Sequence, residues 1–270
     1  MAQLQKDFSF KKQFGQNFIF DINFLKSLVK GFNLPSNTNV LEIGAGAGTL
    51  TEVLAQNFDK VVSVEIDKTL QPTLLSLKQN YNNLDFIFND ILNVELNEIE
   101  DKLGLDYCMI ANLPYYITSQ IVFKFLIDSS KISQMFVMVQ KEVGERFCAK
   151  NSTKDYGIPT VLINSLGEAK IVKNVSRKMF TPVPNVDSCI VNIKINKNKF
   201  KIDDIKKYSN FVSSCFKMKR KTLYNNLSSS GIDKQLVINS LEKMALNALA
   251  RPESLTAEQF VNLYNILNIN

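Results

Sequence analysis

The sequence predicts an α/β fold: a mostly parallel, open twisted sheet with one antiparallel edge hairpin, followed by a small C-terminal α-helical domain. Three observations carry that prediction. Apolar strand-like runs alternate with amphipathic helical runs from Asn39 to Gln140, and strand–helix–strand order at this spacing implies right-handed crossovers and parallel strands. Two more β-like runs, Ala169–Val175 and Ser188–Ile195, are joined by the proline-bearing Phe180-Thr-Pro-Val-Pro-Asn-Val186, a link suited to an edge hairpin. Past a Lys- and Asn-rich stretch at Asn196–Lys201, only helical periodicity remains.

In chain order, residues 6–20 form a basic and aromatic arm, with Lys6, Lys11 and Lys12 ahead of Phe14-Gly-Gln-Asn-Phe-Ile-Phe20. A helix is expected at Ile22–Phe32, with Phe24, Leu25, Leu28 and Val29 on one face, stopped by Pro35 and Ser36. Strands are expected at Asn39–Ile43, Val61–Glu65, Leu84–Phe88, Tyr107–Ala111 and Gln134–Gln140, with helices at Thr49–Phe58, Leu70–Asn80 and Ser119–Asp128 between them. The tail reads as helices Ile205–Phe216, Lys219–Ser229, Lys234–Met244 and Thr256–Leu267, the last opened by an N-cap Thr256. The composition shift places one domain at residues 1–197 and the helical one at 198–270.

Composition excludes several kinds of chemistry. The chain has 270 residues, 45% hydrophobic and 21% charged, enough for one good core and a smaller second domain. It contains no histidine, which excludes an imidazole base, a Ser-His-Asp triad and a His-ligated metal. The 4 cysteines form no C-x-x-C pair, so neither a zinc site nor a disulfide framework is expected. They read as reduced thiols of a cytoplasmic protein. The N-terminus lacks a signal-peptide core and no run reaches membrane-spanning length, so no membrane partner is expected. A net charge of +6 favours an anionic partner.

Residue types at the strand ends suggest a ligand. Glu42-Ile43-Gly44-Ala45-Gly46-Ala47-Gly48 follows the first strand and opens a helix, where glycines permit a tight turn and close ligand approach. The third glycine comes one residue early for the dinucleotide fingerprint, and an acidic Glu42 at that mouth repels a pyrophosphate while tolerating a cationic ligand. Glu65 ends the second strand, where a carboxylate can accept from ribose hydroxyls, and Asp90 follows the third, placed to accept from an adenine amino group. The fourth strand ends in Asn112-Leu113-Pro114-Tyr115. For a planar ring with an exocyclic amine, the Asn112 side-chain oxygen and the Leu113 carbonyl held by Pro114 offer two acceptors. They would favour a pyramidal, nucleophilic nitrogen, and Tyr115 offers a stacking face. No strong base is required, which agrees with the missing histidine.

Together these stretches resemble the ribosomal RNA adenine N6-dimethyltransferase family. The likeness is carried by Lys12-Gln-Phe-Gly-Gln-Asn-Phe18, Val40-Leu-Glu-Ile-Gly-Ala-Gly46, Val64-Glu-Ile-Asp67, Asn112-Leu-Pro-Tyr115, Gln140-Lys-Glu-Val143, Tyr156-Gly157 and Phe180-Thr-Pro-Val-Pro-Asn-Val-Asp-Ser188. Lys219-Arg-Lys-Thr-Leu223 and Asn225-Asn226-Leu227 extend it into the tail. The resemblance implies a Rossmann-like class I methyltransferase that uses S-adenosyl-L-methionine to dimethylate two adjacent adenosines near the 3′ end of 16S rRNA, in the small (30S) ribosomal subunit or its precursor. It implies that Asn17, Ile19, Gly44, Gly46, Glu65, Ile66, Asp90, Ile91 and Asn112 line the cofactor. Asn112, Leu113, Pro114, Tyr115 and Phe180 would receive the adenine, with Tyr115 and Phe180 sandwiching the flipped base. The chain departs from the family at Tyr116, where many relatives carry Asn, and at Ile158-Pro159-Thr160.

Lys217, Lys219, Arg220 and Lys221, at an expected helix start, and Arg177 and Lys178, just before Phe180, are the natural RNA phosphate contacts of such an enzyme. A monomer is the default. Two rivals stay open at this point: the related large-subunit (23S) rRNA methyltransferases, and a ribosome-assembly factor whose methylation is secondary. A nicotinamide oxidoreductase is disfavoured by the glycine spacing.

Overall fold

The computed structural model describes residues 17–104 and 106–268. The basic residues of the arm, Lys6, Lys11 and Lys12, lie outside that span; Asn17 to Phe20 lie within it. The described elements, in order, are α1 (Ile22–Gly31), β1 (Asn39–Ile43), α2 (Thr49–Asn57), β2 (Lys60–Val64), α3 (Gln71–Lys78), β3 (Leu84–Ile87), α4 (Leu96–Leu103), β4 (Tyr107–Asn112), α5 (Thr118–Asp128) and β5 (Ile132–Gln140). They continue with α6 (Lys141–Phe147), α7 (Ile158–Leu166), β6 (Gly167–Val175), β7 (Ser188–Ile195), α8 (Ile205–Cys215), α9 (Leu223–Ser229), α10 (Lys234–Lys243) and α11 (Ala257–Leu267).

The strands form one 7-stranded sheet in the order β3-β2-β1-β4-β5-β7-β6. β1 pairs in parallel with β2 and β4, and β4 with β5, while β6 and β7 supply the expected antiparallel hairpin. All five residues of β1, Asn39–Ile43, are buried, as are five of the six in β4, Tyr107–Asn112. Strands buried on both faces read as continuous apolar runs, which is why both were legible in the sequence. Strand order reverses between β1 and β4, and the crevice at their carboxyl ends is where an open α/β sheet takes its ligand.

The chain divides into two compact units: Met1–Lys141 with Val172–Asn192, and Glu142–Ile171 with Ile193–Asn270. In the first, α1 starts on an Asp21 cap that accepts from Phe24 N at 2.9 Å, and its apolar face joins a core that includes Val40, Leu54, Val61, Cys108 and Ile110. Phe32 stacks on Phe136, with ring centroids 4.1 Å apart. In the second, α7 packs against α8 and α11, and Ser165 Oγ lies 2.6 Å from the Tyr208 hydroxyl. Tyr156 donates to the Leu255 carbonyl at 2.8 Å. Those bonds tie 142–171 to the C-terminal helices. The composition shift at Asn196 marks only the last of the chain's three passages between units, so the expected division at 197 left that segment with the α/β part.

Three helices were not expected: α4, α6 and α7. One expected helix start is corrected. The helix anticipated from Lys219 begins at Leu223 on a Thr222 cap, so Lys219, Arg220 and Lys221 occupy the loop before it. Among the described residues, no helix is long and apolar enough to cross a membrane.

Candidate methyl-transfer site

An open cleft of about 70 Å³ lies in the first unit, lined by Asn17, Phe18, Gly44, Gly46, Glu65, Ile66, Asn112, Leu113, Pro114 and Tyr115. Nine of the expected residues meet there. Gly44 and Gly46 have φ of +82° and +54°, a backbone conformation that side-chained residues rarely adopt. A Cβ on Gly46 would sit 2.3 Å from the Phe18 ring, so the arm lies directly on the glycine loop. Gly44 N donates to Val64 O at 2.8 Å, joining the ends of β1 and β2.

Glu65 is 4% exposed. Its Oε2 accepts from Gly46 N and its Oε1 from Asp67 N, both at 2.8 Å. Burial raises its pKa, and these backbone N–H groups partly offset the rise. The carboxylate keeps lone pairs directed at the cleft, and this acceptor beside two side-chain-free glycines suits the hydroxyls of a ribose and the backbone-hugging chain of an amino acid.

Asn112 donates through Nδ2 to the Asn17 carbonyl at 2.8 Å. Because the partner is a carbonyl, the amide is oriented with Oδ1 as its remaining acceptor. Leu113 N is held by Met138 O at 3.1 Å, and the turn closes on the next carbonyl, Pro114 O, which accepts from Thr118 Oγ1 at 2.9 Å and Ile117 N at 3.3 Å. Tyr115 is half-buried, and its hydroxyl lies 2.8 Å from Ser188 Oγ. Burial raises its pKa and the Ser188 bond lowers it, so it stays a neutral phenol at physiological pH. Ser188 fixes the ring without occupying its faces.

Four expected residues are placed otherwise. Asp90 and Ile91 do not line the cleft. Asp90 Oδ1 accepts from Leu92 N at 2.9 Å, and Ile91 is buried. Phe180 is 1% exposed, packed in the core with Ile19, Val175 and Ile190, so the expected sandwich of Tyr115 and Phe180 is not formed. The cause is the arm: Phe18 N donates to Thr181 O at 2.9 Å and Thr181 N to Phe18 O at 2.8 Å, an antiparallel bridge that also buries Ile19. Glu42 is corrected too. It does not stand at the mouth but is fully buried, with Thr51 Oγ1 and Ser63 Oγ both donating to its Oε2 at 2.6 Å. Its Oε1 has no partner, and desolvation lifts its pKa to about 7.

The sequence also concealed contributors. Phe18 lines the cleft, Ser188 sets Tyr115, and Lys124 on α5 donates to the carbonyls of Ile91, Leu92 and Val94 at 2.9, 3.1 and 2.6 Å, shaping the loop after β3. A lysine on a helix face gave no signal of that contact. Of the basic groups, Arg177 and Lys178 are exposed in the first unit, while Lys217, Lys219, Arg220 and Lys221 are exposed in the second.

The family model described as ribosomal RNA adenine dimethylase matches residues 7–269. The chain belongs to the ribosomal RNA adenine dimethylase family. It is an rRNA adenine dimethyltransferase, and its methyl donor is S-adenosylmethionine. The ribosomal RNA small subunit methyltransferase A of Caldanaerobacter subterraneus subsp. tengcongensis is 42% identical to this dimethylase over 260 residues, covering 95% of this chain and 97% of the relative. The protein of the same name from Geobacillus sp. is 40% identical over 268 residues, covering 96% and 92%. Among solved structures, a dimethyladenosine transferase from Plasmodium falciparum shares the fold with a TM-score of 0.78 at 24% identity, covering 93% of this chain and 98% of its own. The 23S rRNA methyltransferase ErmE aligns with a TM-score of 0.68 at 26% identity, covering 94% and 100%.

Proposed function

We propose that this dimethylase converts two adjacent adenosines near the 3′ end of 16S rRNA to N6,N6-dimethyladenosine, within the small (30S) subunit or its precursor, and that it works as a cytoplasmic monomer. The names and near-complete coverage of its bacterial relatives support this choice over the large subunit.

The observation that carries the mechanism is the corner at Asn112. The target N6 is a poor nucleophile because its lone pair is delocalised into the purine. Asn112 Oδ1 and the Leu113 carbonyl accept its two N–H groups, which draws the nitrogen toward a tetrahedral, nucleophilic form. Tyr115 stacks on the base and fixes the line of attack. The bound cofactor supplies an electrophilic methyl on a sulfonium. Glu65 holds the ribose, Gly44 and Gly46 admit the amino-acid part, and Asn17, Ile66 and Asn112 complete that wall. Asp90, on the loop after β3, would accept from the adenine amino group of the cofactor, and the buried Ile19 and Ile91 would support the loops around it. The proton leaves after alkylation, so no base is needed. Lys217, Lys219, Arg220, Lys221, Arg177 and Lys178 hold phosphates, reading RNA shape more than sequence.

The test is methyl transfer from labelled S-adenosylmethionine to purified, unmodified small and large subunits, followed by nucleoside digestion. Dimethyladenosine on the small subunit alone is expected. Label on the large subunit would overturn the substrate assignment.

A further inference from the structure

Two motifs carry no role in methyl transfer, Tyr156-Gly157 and Asn225-Asn226: the first lines one cavity of the second unit, and Asn226 of the second braces a loop that also lines it. The cavity holds about 590 Å³ and includes Tyr156, Gly157, Pro159, Phe216 and Met218 in its lining. Its walls are built rather than incidental. Ser152 N donates to Glu253 O at 2.7 Å and Tyr156 Oη to Leu255 O at 2.8 Å, fixing the 152–156 loop against the turn before α11. On the opposite wall the fully buried Asn226 braces the loop entering α9. Its Oδ1 accepts from Met218 N at 2.6 Å, and its Nδ2 faces the carbonyls of Met218, Lys221 and Thr222 at 3.3, 3.4 and 3.1 Å.

The chemistry of the lining selects a ligand class. Phe216, stacked on Phe260 with centroids 5.6 Å apart, gives a rigid aromatic surface. Arg146 is paired with Glu142 at 3.0 Å, whereas Lys154 and Lys219 have no ion-pair partner among the described residues. Asp155 adds an acceptor carboxylate. An aromatic floor, a carboxylate and two free ammonium groups match a base carrying exocyclic donors and a phosphate, and unpaired bases are what proteins capture on aromatic side chains in folded RNA.

We propose that this cavity receives one unpaired nucleotide of the RNA substrate, its base against Phe216 and Tyr156 and its phosphate toward Lys154 and Lys219. The proposal rests on the rRNA reading above and adds a second anchor, separate in its residues from those of the methyl-transfer cleft. Gly157 offers the means to close it. Its φ of −174° is extended backbone open to any residue, and an added Cβ would meet only Pro159 Cδ, at 3.9 Å.

The direct probe is adenosine 5′-monophosphate, titrated with the cleft saturated by S-adenosylhomocysteine. The readout is the methyl resonance of ¹³C-labelled Met218, assigned with Met218→Leu. A saturable shift that Gly157→Leu abolishes is expected, together with a roughly tenfold rise in KM for small subunits at unchanged kcat. Lys154→Glu, an exposed position that leaves folding intact, should weaken nucleotide binding several-fold. No Met218 shift at millimolar nucleotide, or an unchanged KM in both variants, would overturn the proposal. If the wild-type protein shifts Met218 but methylates no small subunit, the substrate assignment falls while the nucleotide site stands.

Discussion

The corner at Asn112 and the loop at Lys219 both present polar groups from irregular backbone, yet opposite devices hold them. At the corner the sheet does the holding: Leu113 N bonds to Met138 O and Gly44 N to Val64 O, so strand ends fix the turn and Asn112 keeps Oδ1 as an acceptor while Nδ2 holds Asn17. In the second unit no ladder reaches the basic loop, and one buried side chain, Asn226, takes its backbone donor and acceptors. Functional and structural duties are therefore separable at the corner and fused at the loop. Substitutions should reveal that contrast.

The largest effect is expected for Asn112→Ala. Methyl transfer should fall by roughly 10²–10³-fold, the range seen when one preorganised polar partner of a transition state is removed. Thermal unfolding should barely change, because the sheet holds the turn. A loss of stability as large as the loss of rate would break the contrast. Asn226→Ala should do the reverse, destabilising the second unit by about 2–4 kcal/mol as buried backbone groups lose their partner. Hydrogen exchange across Leu223–Ser229 should accelerate, while methyl transfer at saturating RNA persists. Retained protection there would show that the loop has another support.

Glu42 sharpens the account of the first unit. Its carboxyl titrates near 7 in the fold against an ordinary value of 4.5. The native state therefore binds the extra proton between those values, and stability declines as pH rises through that window, by on the order of 3 kcal/mol. Glu42→Gln, which keeps an acceptor for Thr51 and Ser63, should flatten the slope in denaturant unfolding between pH 5 and 7.5. An unchanged slope would place the titration elsewhere. The smallest effect belongs to Tyr115→Phe, which loses the Ser188 bond but keeps the stacking face: about 1 kcal/mol of stability, with methyl transfer within about threefold of wild type. A hundredfold rate loss would mean that the hydroxyl, not the ring, acts on the substrate.

What the sequence revealed follows the same division. Strands β1 and β4 were legible because burial on both faces writes an uninterrupted apolar run, and the residues at their ends therefore landed in one cleft. The three missed helices lacked such signatures. α4 buries only Ile99, Glu100 and Leu103 in an acidic stretch, α6 carries Gly144, and α7 is so rich in Ile, Val and Thr that it imitates a strand. Lys219–Thr222 looked helical because lysine and arginine favour helices, but Asn226 captures the backbone groups that a helix would use. Phe180 was misplaced for a comparable reason. Its burial depends on the pairing of Phe18 with Thr181, a contact across more than a hundred positions that no local pattern records.

The most direct measurement is a crystal structure of the dimethylase with S-adenosylhomocysteine and an RNA fragment carrying the target adenosines. The account predicts the adenine N6 within hydrogen-bond distance of both Asn112 Oδ1 and the Leu113 carbonyl, with the base against Tyr115. An amine bound away from that corner, in an otherwise productive complex, would contradict it.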